Sequence, residues 1–161
     1  MILKRKRKNG EEVKYTIDVN HIYDRGNDYY SLRIPTEKEN IFAGHLNFAL
    51  SKTHNQNSIY IYDLKVADEY SSMGNGKALL QAMEYIAYKH YIDIVEGKFY
   101  PHDTHLTKEQ TIDFYKDCGY TVDETNHEIY KYLKLSEIAS TIAQNVSDFQ
   151  VNHISNSNME L

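Results

Sequence analysis

The chain has no tryptophan, one cysteine and two prolines in 161 residues. A single thiol, Cys118, excludes an intrachain disulfide and points to a reducing, cytoplasmic setting. No apolar run approaches the ~20 residues that a membrane span needs. The N-terminus is basic but has no apolar segment of the kind a signal peptide requires. Low-complexity and linker-like stretches are also missing, so with 41% hydrophobic residues the chain reads as one globular domain over 1–161. Glycine is scarce, seven in all, which makes the close pair Gly74 and Gly76 conspicuous.

The formal charge is −5, but Lys4-Arg5-Lys6-Arg7-Lys8 holds five of the 18 basic residues, leaving 13 against 23 acidic ones, or −10, for the rest. An acidic body argues against a nucleic-acid-binding surface and favours cationic partners such as amines, and no membrane partner is expected. The basic segment 1–10 reads as a solvated chain end, with a contact for polyanions as the alternative. The 15 tyrosines look like compositional bias, and no function is attached to them.

Hydrophobic periodicity gives the order of elements. Val13, Tyr15, Ile17 and Val19 alternate with polar residues, which predicts one half-buried strand. A turn at Asp24 to Asp28 leads to a strand with Tyr30, Leu32 and Ile34, and then to a longer one with Phe42, Leu46, Phe48 and Leu50. The polar segment Ser51 to Ser58 joins this to a strand from Ile59 to Val66. A helix after Gly76 carries Leu79, Met83 and Ile86 on one stripe. Tyr91 to Val95 reads as the next strand, parallel to Ile59–Val66 because a helix connects them. Thr107 and Gln110 form a capping box for a further helix that Gly119 ends. Tyr120 to Leu133 reads as strand, turn and strand. Ser136 is expected to cap a last helix, 136–150, with Ile138, Ile142, Val146 and Phe149 on one face, followed by a frayed tail, 151–161. Burial of that stripe is expected, through self-association as a homodimer or against the chain's own sheet. The fold class is α+β, a mixed, mostly antiparallel sheet with one parallel crossover pair.

A strand that runs through a glycine-bearing turn into a helix suits one kind of ligand. The first N–H groups of a helix have no partner within it, and the peptide dipoles leave partial positive charge there, so a phosphate can sit on them. Glycine lets the backbone come close. The same pattern also serves as an ordinary turn.

The stretch resembles the GNAT superfamily of N-acetyltransferases, whose acetyl-CoA motif is a strand ending in Leu-x-Val, a linker, Arg/Gln-x-x-Gly-x-Gly/Ala and a helix. Leu64, Val66, Gly74, Gly76, Ala78, Leu79 and Leu80 stand in that pattern without insertion. Ser71 departs from it, occupying the place of Arg or Gln. A second motif of the family, Phe-Tyr-x-x-x-Gly-Phe/Tyr, appears as Phe114, Tyr115, Gly119 and Tyr120. The resemblance runs from about Phe42 to about Tyr132. The one or two helices that GNAT domains usually place between their first two strands have no counterpart here.

The resemblance implies transfer of an acetyl group from acetyl-CoA, as co-substrate, to a primary amine of a small molecule or peptide. It implies that main-chain groups of Leu64, Lys65 and Val66 pair with the pantetheine arm, one N–H polarising the thioester oxygen. The turn residues Ser71, Ser72, Met73, Gly74, Asn75, Gly76 and Lys77 would cradle the pyrophosphate. Tyr115 matches the family's general acid, and a phenol with pKa ~10 stays protonated at neutral pH. The glutamate base of the histone-acetylating branch is replaced by Tyr60, which leaves Asp63 as the best carboxylate for that work. A water chain, or an amine arriving neutral, stands equal to it. His102, Asp103 and His105 lack a fourth ligand and read as a polar wall of the acceptor site, with no metal expected. Cys118 reads as a packing residue. The competing interpretation is a non-catalytic module on the same fold that binds CoA, another protein or a polyanion, favoured by Ser71, the missing helices and the unidentified base.

Overall fold

In a computed structural model, which describes residues 1–53, 56–100 and 106–155, the chain forms two sheets and three α-helices. Strands β1 (Ile2–Lys6), β2 (Glu12–Thr16), β3 (Asp18–Asp24), β4 (Asn27–Pro35), β5 (Phe42–Thr53) and β6 (Gln56–Val66) precede helix α1 (Asn75–Lys89). After it come β7 (Ile94–Lys98), α2 (Lys108–Asp117), β8 (Thr121–Asp123), β9 (Glu128–Tyr132), α3 (Leu135–Thr141), β10 (Val146–Ser147) and β11 (Val151–Ile154). The larger sheet has eight strands in the order β11-β3-β4-β5-β6-β7-β9-β8, and the smaller has the order β10-β1-β2. Among the described residues, β11–β3 and β6–β7 are the pairs that run in parallel. The α+β class and the parallel crossover pair are as the sequence predicts.

Helix α1 lies across β4, β5 and β6 and buries Leu79, Met83 and Ile86 against Leu46, Phe48, Ile59 and Ile61, the stripe its spacing dictates. The β3–β4 hairpin turns through Arg25 and Gly26, both at positive φ, as a two-residue connection demands. The capping box of α2 is complete: Thr107 Oγ1 accepts from Gln110 N, and Gln110 Oε1 accepts from Thr107 N. Gly119 (φ 87°) follows the helix in the left-handed region. Among the described residues no helix is long and apolar enough to cross a membrane.

Several elements differ from the expectation. The alternation from Val13 to Val19 belongs to two strands in different sheets, β2 and β3, which part at Ile17. Burial alternates unbroken through Tyr15, Ile17 and Val19, so the pattern hides the break. Met1 brackets Ile17 instead, its ammonium donating to Ile17 O at 2.9 Å and its carbonyl accepting from Ile17 N. The basic run is solvated, with Lys4, Lys6, Arg7 and Lys8 exposed, but it is not a loose end. Lys4 to Lys6 lie inside β1, paired with Lys14 to Glu12 of β2, and Leu3 beside them is fully buried. The strand after α1 begins at Ile94 rather than Tyr91, because Tyr91 adopts a left-handed turn conformation (φ 56°).

The C-terminal segment departs most. Helix α3 ends at Thr141, a 3-10 turn spans Ala143–Asn145, and the chain then continues in extended form. Ser136 is not its cap; Lys134 holds that position without a side-chain hydrogen bond. Ser, Thr, Ile, Val and Asn are middling helix formers, and nothing local sustains the helical period. The stripe is nonetheless buried within the chain: Ile138 and Ile142 join the core, α3 meets α1, and Phe149 packs edge-on against Tyr85 of α1 at 5.1 Å. Residues 151–154 of the expected tail pair in parallel with β3.

Candidate active-site cleft

Strands β6 and β7 pair only through Ile59–Val95, Tyr60–Glu96 and Ile61–Gly97, and then separate. At the last contact a Cβ on Gly97 would stand 2.8 Å from Ile61 O, so only glycine lets the backbones approach this closely before they part. Beyond Ile61 the strand β6 keeps its pairing with β5, but no strand among the described residues pairs with its other edge from Tyr62 to Val66. A bulge accompanies the separation: Asn47 faces Asp63 and Phe48 faces Ile61, leaving Tyr62 without a partner in β5. The opening holds a cavity of about 30 Å³ lined by Asp63, Leu64 and Lys65 on one side, Lys98, Phe99 and Tyr100 on the other, and Thr111 of α2.

The open edge leads into the glycine-bearing turn. Gly74 (φ 80°) is the N-cap of α1 and supplies no side-chain cap, and the first turn of the helix carries no acidic residue. The helix therefore starts with uncapped N–H groups and an uncompensated dipole. Ser71 directs both its hydroxyl and its N–H at Asp68 O. Asn75 Nδ2 donates to Tyr70 O at 2.9 Å, which holds the turn from within.

The smaller sheet braces the turn from outside. Tyr15 of β2 donates its hydroxyl to Met73 O at 2.6 Å, and Arg5 Nη1 of β1 donates to Gly74 O at 3.3 Å. These contacts fix the carbonyl side of the turn and bring a guanidinium beside it.

On the sheet face opposite α1, register places Asp63 beside Asn47 and Lys65 beside His45. His45 Nε2 and Asp63 Oδ2 are 2.6 Å apart, with side chains 33% and 44% exposed.

No family model and no curated protein sequence matches the chain. Solved structures do match it. A protein assigned to the GNAT family of acetyltransferases, from Desulfovibrio desulfuricans, superposes with a TM-score of 0.51 at 16% identity over 66% of this chain and 69% of that one. Tetrahymena Gcn5 gives 0.52 at 16% identity over 70% and 71%. The chain has the GNAT fold. The PaiA N-acetyltransferase of Thermoplasma acidophilum, solved in complex with coenzyme A, gives 0.50 at 18% identity over 65% and 60%.

Within this GNAT fold the residues expected at the site fall in one continuous region. Leu64, Lys65 and Val66 form the open edge, the turn Ser71 to Lys77 follows, and Asp63 stands at the cleft. Tyr115 lies deeper, its ring centroid 6.0 Å from Phe99, 5.2 Å from Phe114 and 5.7 Å from Tyr120. Burial pushes its phenol well above the usual value, and Cys118 and Asp63 add to that. Burial likewise raises the Cys118 thiol to about 11, although Lys77 and Lys131 oppose the shift. Beneath this layer Lys131 Nζ reaches Glu84 Oε1 at 2.5 Å and Cys118 O at 2.8 Å. Burial raises the Glu84 carboxyl, while Lys131 pulls it down.

Three contributors escaped the sequence reading: His45, Arg5 and Tyr15. His45 and Asn47 do occupy the polar positions of the Phe42–Leu50 alternation, which was the available signal, but their partner across the strand depends on the bulge. The expected polar wall of His102, Asp103 and His105 lies outside the described residues. Among the described ones no cluster of three metal-ligating side chains occurs.

Proposed function

We propose that this protein is an acetyl-CoA-dependent N-acetyltransferase acting on a primary amine. The observation that carries the reading is the separation of β6 from β7 at Gly97, which frees the Leu64–Val66 edge on a line with the uncapped start of α1. The free edge would accept the pantetheine arm as an added strand, and the turn's N–H groups would take the pyrophosphate. PaiA, solved with coenzyme A, supports this use of the fold. Acetyl-CoA, when bound, would supply an activated acetyl thioester.

The chain's own groups supply the rest. A main-chain N–H of Leu64 to Val66 would polarise the thioester carbonyl, a contribution that side-chain differences do not erase. Arg5 would add the cationic side chain that Ser71 lacks, reaching the phosphates from the smaller sheet. Tyr115 would stand near the thioester sulfur. Its raised pKa keeps it protonated, so it would act by hydrogen-bonding the departing thiolate and giving up its proton as charge develops there.

Titration calorimetry with acetyl-CoA, followed by thiol release with a panel of primary amines, tests the proposal. Heat of binding and amine-dependent thiol release are expected. No heat and no thermal stabilisation at millimolar acetyl-CoA would refute it.

A further inference from the structure

We propose that His45 is the group that takes the proton from the acceptor amine, with Asp63 as its positioning residue. The inference rests on the acetyltransferase reading and assigns the one role that reading leaves open. Asp63 was the only carboxylate the sequence offered as a base, but the structure gives it a different position in the chain of contacts. Its Oδ2 lies 2.6 Å from His45 Nε2. A carboxylate at that distance accepts the Nε2–H, which fixes the neutral imidazole as the tautomer with its lone pair on Nδ1. Nδ1 has no partner among the described residues and is the atom free to accept a proton.

Placement supports the role. His45 sits on β5 directly opposite Lys65, and Asp63 lines the cleft next to Leu64, where the open edge of β6 begins. At 33% exposure the imidazole reaches solvent. The charged groups around it are Asp63 and Lys65 of β6 and, paired with it across β4, Arg33, whose guanidinium is drawn over the Phe42 ring at 5.1 Å. Asp63 is the only anion among these, and it is also the one in contact. In the reaction the bound ammonium passes one proton to His45 Nδ1, directly or through a water; the freed amine nitrogen then forms its bond to the thioester carbonyl carbon, the carbon–sulfur bond breaks, and the nitrogen's second proton is lost to solvent as the amide forms. The thiolate that leaves is protonated separately, from the Tyr115 side.

The variants are His45→Gln and Asp63→Asn, assayed by thiol release from acetyl-CoA with the amine panel and with water alone as acceptor. A general base contributes about 10²- to 10⁴-fold, so His45→Gln is expected to lower turnover by at least about a hundredfold while leaving coenzyme A affinity unchanged. Asp63→Asn should lower it by about tenfold or more, because the tautomer is no longer fixed. The dependence on pH carries the decisive readout. Without the base, kcat/KM should follow the free-amine fraction and rise about tenfold per pH unit up to the amine's own pKa, whereas the wild-type profile should level off below it. Imidazole added to His45→Ala should restore part of the rate.

Wild-type activity retained in His45→Gln, or a loss with an unchanged pH profile, would overturn the assignment while leaving the acetyltransferase reading intact. A wild-type protein that binds no coenzyme A would remove that reading, and the assignment with it. If it binds the cofactor but releases no thiol with any acceptor, the assignment of a base is wrong and the site is a binding site only.

Discussion

Gly97 and Ile61 touch where two parallel strands separate, and a methyl group on Gly97 would stand 2.8 Å from the Ile61 carbonyl oxygen and 2.9 Å from its Cβ. Gly97→Val should therefore push β7 away from β6 above the cleft, at a cost of about 2–3 kcal/mol from overpacking. Thermal unfolding should show a midpoint lower by about 5 °C or more. An unchanged midpoint would mean that the strands separate for another reason.

Arg5→Ala should weaken coenzyme A binding by about tenfold, the typical value of a hydrogen bond to a charged group, and should reduce the salt dependence of binding. Acetyl-pantetheine, which lacks the phosphates, should bind both proteins equally. If Arg5 only braces the turn, Tyr15→Phe will weaken coenzyme A to the same extent and the salt dependence will not change. Tyr15→Phe is the useful companion, since it removes the hydrogen bond to Met73 O without removing a charge.

Tyr115→Phe should leave coenzyme A affinity unchanged and lower turnover by about a hundredfold. Burial raises the phenol above its ordinary value of ~10, so the proton stays on Tyr115 up to at least that pH. The wild-type rate should consequently show no alkaline decline from this group below pH ~10. Equal loss of binding and turnover would make Tyr115 a packing residue.

Lys131→Met should destabilise the fold by about 3 kcal/mol at pH 7, because it leaves the buried Glu84 carboxylate unpaired. The sign of the pH effect follows from the raised Glu84 value. A carboxyl whose folded pKa exceeds its unfolded one binds protons preferentially in the native state. Its favourable contribution is complete below the unfolded pKa, ~4.3, and is lost as pH rises through the folded one. Removing Lys131 removes the opposing pull, so the window widens and the variant should recover stability between pH 7 and pH 5. Chemical denaturation at the two pH values checks this, and Glu84→Gln added to Lys131→Met should abolish the recovery.

Local chemistry was legible in the sequence, and long-range contact was not. Gly74, Gly76 and the stripe Leu79, Met83 and Ile86 announced a turn and a helix because a left-handed N-cap and a 3.6-residue period are written in neighbouring residues. Thr107 and Gln110 announced α2 for the same reason. The break at Ile17 left no trace, since burial keeps alternating through it. The helical spacing of Ile138, Ile142, Val146 and Phe149 was satisfied by a short helix and an extended chain packing on the same α1. His45, Arg5 and Tyr15 meet the site across 18, 69 and 58 residues, and which strand positions face each other depends on register, which no local pattern encodes.

The unpaired Tyr62 changes what kinds of inherited alteration the cleft can survive. Before it, Ile59 and Ile61 point toward the helices; after it, Leu64 and Val66 do, and the extra residue is what reverses the parity. Its own side chain is 47% exposed, so replacing it should be mild. Deleting it would bring Asp63 directly after Ile61, the two still opposite Asn47 and Phe48, so every later residue of the strand would keep its face, and the loss would be the extra bend that a bulge gives the strand beside the opening. A relative with a gap at Tyr62 should therefore keep the β5–β6 pairing and the inward set Leu64 and Val66, and differ only in how sharply its strand turns away at the opening.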